Sequence, residues 1–177
     1  MSDDMVDALL DAATRRFYGK YRGVVADNVD PTKSGRLQVS VPAVMGDAPV
    51  WAMPCVPYAG SSVGLFLMPD VGTGVWVEFE AGDPNHPIWV GCFWGVGQID
   101  AADAVPTVKF LKTTTVTIRI DDLAGELEIT NQAGSSFKLT PLEIEQKSRT
   151  ITQTTDVTKT VLDTVRFDVN NGAFTVV

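Results

Sequence analysis

The run Leu65-Phe66-Leu67-Met68-Pro69-Asp70-Val71-Gly72-Thr73-Gly74-Val75-Trp76-Val77-Glu78-Phe79-Glu80-Ala81-Gly82-Asp83-Pro84-Asn85-His86-Pro87-Ile88-Trp89-Val90-Gly91 alternates like a sheet and turns like a hairpin. Val75, Val77 and Phe79 fall on one side of a strand, and Trp76, Glu78 and Glu80 on the other. Pro69-Asp70 with Gly72 and Gly74 leads the chain into that strand, and Gly82-Asp83-Pro84 turns it out. Ile88-Trp89-Val90 returns as a short apolar strand, and a further strand is expected to begin near Leu65.

Working upstream, Tyr21 to Val29 reads as a first strand. Asp30-Pro31-Thr32-Lys33-Ser34-Gly35 is a turn, because Pro fixes φ and Gly permits a positive one. Arg36-Leu37-Gln38-Val39-Ser40-Val41 alternates with Leu37, Val39 and Val41 facing in, and Pro42 ends it. Residues 43–64 read as a longer connection, extended over Trp51–Tyr58 and bent at Gly60–Gly64. About five strands in so short a span, with no internal helical pattern, have the size and rhythm of an OB-like barrel. Ahead of it, Met5, Leu9, Ala12, Ala13 and Phe17 recur at helical spacing, with acids first and Arg15-Arg16 last. That predicts a short helix over 4–18, either a frayed tail or an arm that docks on a partner.

Downstream the composition changes. Every Trp (51, 76, 89, 94), every Tyr (18, 21, 58) and both Cys (55, 92) precede residue 99, and Thr-rich alternation follows. The sequence divides into an arm (1–18), a barrel (19–98), a linker (99–107) and a strand-rich tail (108–177). Strands are expected at Thr113–Ile120, Glu126–Thr130, Ser136–Thr140, Leu142–Glu145, Thr150–Thr154, Val161–Val169 and Phe174–Val177. Each carries one thin apolar stripe, and the bulky aromatics are only Phe110, Phe137, Phe167 and Phe174. Such strands cannot enclose a core alone, and their open edges invite aggregation. Intertwining three copies answers both difficulties and predicts a trimeric β-helix or β-prism needle. A monomeric β-sandwich is the alternative.

The net charge of −8 excludes a broad basic footprint for nucleic acid. Residues 1–98 hold 6 Lys/Arg against 11 Asp/Glu, and residues 99–177 hold 8 against 11, so both parts are acidic. Cys55 and Cys92 are expected to be buried, reduced thiols. Met1-Ser2-Asp3-Asp4 is acidic where a signal peptide needs a basic start, and no apolar run reaches a membrane span. Synthesis in the cytoplasm is expected.

Several quoted segments resemble a known family. They are Tyr21-x-Gly23-x-Val25-x-x-Asn28-x-Asp30-Pro31, Gly35-Arg36-Leu37-Gln38-Val39, Trp51-Ala52-x-Pro54, the run Pro69 to Pro84, and Pro87-Ile88-Trp89-Val90-Gly91. Together they resemble the OB-fold domain of spike proteins in contractile injection machines, namely phage baseplate assembly protein V and the type VI secretion spikes. The likeness covers roughly residues 17–98, and the tail from 108 is similar to that family's needle in alternation and composition. It implies an all-β homotrimeric central spike on a baseplate hub, built into a virion or injection particle. A PAAR-like tip protein would cap the needle, and contact with a target membrane would be transient. Some relatives insert a lysozyme-like domain after the barrel, for which the linker is too short. Others carry hub domains ahead of it, so here the hub is expected to be a separate polypeptide.

No catalytic set, metal site or cofactor is expected. His86 is the only histidine and sits in the Asp83–Pro87 turn, so it reads as a rim residue and not a triad or metal ligand. Short phage spikes that hold iron do so through a His-x-His, which Asn170–Val177 lacks. Glu78, Glu80 and Asp83 read as a solvated face and not a glycosidase pair. Trp76 and Trp89 read as inter-subunit or hub contacts, with packing in the barrel core as the alternative, and Phe17 joins them as a contact residue. Phe174, Val176 and Val177 are expected to meet the tip protein. The competing function is an OB module for single-stranded nucleic acid or oligosaccharide, which needs aromatics in a basic groove.

Overall fold

The computed structural model describes residues 16–177, and the backbone divides into two compact units at Gln98/Ile99. The helix expected over 4–18 lies outside the described residues except for Arg16–Tyr18, which carry no helical turn.

In the first unit β1 (Tyr21–Asp27), β2 (Leu37–Val41), β3 (Gly46–Pro54), β6 (Gly74–Phe79) and β7 (Pro87–Cys92) close a barrel. Their order around it is β1-β2-β3-β7-β6, with β6 paired back on β1. This is the OB arrangement of five short strands. A single turn of helix, α1 (Pro42–Met45), joins β2 to β3, with Pro at its start where a missing N–H costs nothing. The ribbon β4 (Ala59–Gly60) and β5 (Val63–Gly64) lies in the β3–β6 connection, and a 3-10 turn (Glu80–Gly82) joins β6 to β7.

Alternation sets the core. Leu37, Val39 and Val41 of β2 and Val75, Val77 and Phe79 of β6 all point inward, where Val25, Ala52 and Trp89 meet them. Each fully buried Val or Leu contributes about 1.5–3 kcal/mol relative to an exposed one. Gly23 lets β1 cross tightly here, since a Cβ would lie 3.0 Å from the Ser40 carbonyl and 3.2 Å from Val77.

Three expectations for this unit need correction. Leu65–Asp70 is not a strand, and Leu65 N–H instead donates to the Tyr58 carbonyl at 2.9 Å, holding a loop. The third barrel strand lies earlier, at Gly46–Pro54, within the segment read as a connection, because Val50–Ala52 pair in register with Leu37–Val39. Cys55 and Cys92 are free but exposed, as they sit at the outer ends of β3 and β7, beyond the enclosed layer.

The second unit is two successive antiparallel meanders. Five strands form one sheet: β8 (Val108–Lys112), β9 (Val116–Asp121), β10 (Glu126–Asn131), β11 (Ser136–Leu139) and β12 (Ile144–Lys147). Four more form another: β13 (Thr150–Thr154), β14 (Lys159–Asp163), β15 (Phe167–Val169) and β16 (Phe174–Val176). The single strand expected at 161–169 is broken in two. The Asp163 carboxylate accepts the backbone N–H groups of Val165 and Arg166 at 2.8 and 2.9 Å and folds the chain over. Among the described residues, Val108 is the only buried apolar side chain of this unit and Asp168 the only buried charged one.

Candidate functional site

Directly paired residues share a sheet face, so the registers reveal what each face of the second unit carries. In the first sheet Leu111, Ile118, Ile129 and Phe137 form one row, and Ile120, Leu127, Leu139 and Ile144 the next. Val116 lies on the same side. In the second sheet Ile151, Leu162, Phe167 and Val176 form a row, beside Val169 and Phe174. None of these is buried: Ile144 is 63% exposed, Leu162 50% and Phe174 57%. The hollow lined by Ile144, Gln146, Ile151, Gln153, Thr160, Leu162 and Phe167 takes side chains from both sheets, so the two apolar faces adjoin.

The opposite faces are charged and cross-linked. Arg119 reaches Asp103 at 3.2 Å and Asp121 at 3.3 Å, and Lys138 meets Glu126 at 3.0 Å. The hydrogen bond from Lys138 to Glu126 raises the lysine above its ordinary range, as the one from Arg119 to Asp103 does for the arginine. Asp168, 5% exposed, accepts from Gly172 N–H at 3.1 Å and from the Thr175 hydroxyl at 3.3 Å. A face of solvated ion pairs backs a face of uncovered Leu, Ile, Val and Phe, and a contiguous exposed apolar face of this kind has the character of an interaction surface.

The barrel displays smaller features. Asp30 anchors the β1–β2 turn by accepting from Thr32 N–H, Ser34 N–H and the Arg36 guanidinium, the last at 2.8 Å. Arg36 above all, then those backbone donors, holds the Asp30 carboxyl far below the usual carboxylate range. The Arg36 guanidinium also lies 5.1 Å from the Trp51 ring centre. On the outer wall, Arg22 sits over Trp76 at 5.3 Å and over Phe93 at 5.1 Å. Gly74 makes room for that cluster, since a Cβ there would come within 2.7 Å of the Phe93 ring. A groove beside Gly35, Pro54, Val56 and Met68 is flanked by Phe66, which is 74% exposed.

The residues singled out from sequence fall in different places. Trp89 is 5% exposed within the barrel core, and its indole N–H donates to the Gly35 carbonyl at 3.2 Å. Its side chain offers no surface to another chain, so the packing alternative replaces the contact reading. Trp76 is half-buried by Arg22 and Phe93. Phe17 packs on Tyr21 and Phe79 at ring separations of 6.1 and 6.0 Å. Phe174, Val176 and Val177 are exposed. His86 lies 3.5 Å from Asp83, whose carboxyl is lowered first by the Asn85 backbone N–H, and Glu78 pairs with Lys20. Among the described residues no group of His, Cys, Asp or Glu side chains is arranged to hold a metal ion. Nor is any described helix long and apolar enough to cross a membrane. Leu65–Leu67 and Trp94 are exposed and apolar; in sequence the first is indistinguishable from a strand and the second carries no pattern of its own.

Residues 21–94 match the family model described as the type VI secretion system/phage-baseplate injector OB domain. It is the barrel that carries this likeness. The match begins at the first residue of β1 and ends just past β7, so the matched region coincides with the closed barrel. β8–β16 lie beyond it. No curated protein matches the chain.

Proposed function

We propose that the chain is the central spike of a contractile injection machine. Three copies would wrap their second units about one axis, apolar faces inward, to make a needle that pierces a target envelope. The observation that carries this reading is the uncovered apolar face spanning both sheets of the second unit. Covering the exposed half of each Leu, Ile, Val or Phe contributes about 1 kcal/mol. Summed over the rows, that reaches the roughly 4–15 kcal/mol that association costs. The ion-paired faces then point to solvent, where such pairs are at ease.

The role is mechanical and not enzymatic. A rod of hydrogen-bonded strands resists bending because deformation must break many bonds together. The injector OB domain would seat the spike on a baseplate hub, with Trp76 and Phe17 near the contact. Phe174, Val176 and Val177 would lie under a PAAR-like tip protein. Sedimentation and native mass spectrometry test the reading: the purified chain runs as a trimer, and a monomer at low micromolar concentration would sink it.

A further inference from the structure

Where its two sheets adjoin, the apolar face of the second unit is interrupted by uncharged polar side chains. Gln146 pairs across from Phe137 within the first sheet, and Gln153 pairs across from Thr160 within the second. All three polar side chains line the one hollow where the sheets adjoin. None of these three side chains has a hydrogen-bond partner among the described residues. The strand residues of this face include no carboxylate, and the charge of Lys109, at the β8 edge, is answered by Asp122.

This selection of groups identifies the occupant. An amide carries both a donor and an acceptor, and so does a hydroxyl. Identical amides brought round a symmetry axis therefore satisfy one another, whereas identical carboxylates or ammonium groups repel. A face of hydrocarbon, amide and hydroxyl is complementary to itself. The other face of the first sheet, dense in Arg, Lys, Asp and Glu, is not.

Hydrocarbon alone also leaves the assembly under-specified. Rows of Ile, Leu and Val repeat every two residues, so a slip of two residues restores most contacts. A polar layer removes that freedom, because a slipped amide faces hydrocarbon with its hydrogen bonds unmade. A single buried amide fixes register and copy number in coiled coils by the same logic. We propose that Gln146, Gln153 and Thr160 form a polar layer through which copies of this chain set their mutual register and their number. The proposal rests on the trimeric reading above.

Native mass spectrometry of the full chain tests it with three variants. The unaltered chain and Gln146→Asn, which keeps an amide, give one oligomeric mass. The double variant Gln146→Leu/Gln153→Leu still associates but spreads over several masses. Gln146→Glu dissociates at neutral pH and reassembles below about pH 4, where the carboxyl is protonated. A double variant that keeps one mass, a scattered Gln146→Asn, or a Gln146→Glu that ignores pH each overturns the layer and leaves the spike reading intact. An unaltered chain that is monomeric overturns both.

Discussion

The barrel and the unit that follows it put the same alternation to opposite ends. In β2 and β6 every second residue vanishes into an interior made by one chain. In β9 and β10 every second residue is equally apolar, yet it stands on an open face. The difference is curvature: a sheet closed on itself encloses its own inner side, whereas an open meander needs something laid against it. The barrel thus covers its own apolar side, and the second unit leaves its apolar side open.

The sharpest way to break that comparison is to charge the open face. Ile129→Asp should abolish assembly, read as a fall to monomer mass, while Glu128→Ala on the reverse face should leave the mass unchanged. Next in size, Trp89→Ala should cost the barrel about 3–5 kcal/mol in chemical denaturation, the range for emptying a large buried site. The two transitions should also respond differently to dilution. The second unit should melt at a temperature that rises with protein concentration, and the barrel should not.

A smaller effect follows from Asp30. Its carboxyl is held below its unfolded value, so its contribution is complete at neutral pH and is lost as pH falls below about 4. Barrel stability measured by urea titration should drop over that interval, and Asp30→Asn should flatten the slope while lowering stability at pH 7. Smallest of all, Lys138→Ala should scarcely move either transition, since its partner Glu126 is also solvated.

Much of this was legible in the residues. Leu37-Gln38-Val39-Ser40-Val41 and Val75 to Phe79 announce their inner faces, because one side of each is uniformly apolar. Ile88-Trp89-Val90 does not, as all three are apolar and only the register with β6 reveals that Trp89 points in. Leu65-Phe66-Leu67 misled for a similar reason: greasy residues in sequence resemble a strand until one asks where their backbone bonds go. In the second unit the apolar stripe was readable strand by strand. What no single strand could disclose was that the stripes align within each sheet, because cross-strand register is a property of pairs, or that Gln146 and Gln153 line one hollow, because that depends on how the sheets adjoin.

The hoop of the barrel has a clasp. Neighbouring staves are joined by antiparallel ladders, but β3 and β7 meet in parallel over only Met53–Ile88 and Pro54–Trp89, and a proline can donate nothing to its rung. One further bond, from Cys55 N–H to the Trp89 carbonyl at 2.9 Å, completes the fastening. When the domain breathes, this is where daylight should enter first, and the indole beside it will report the leak.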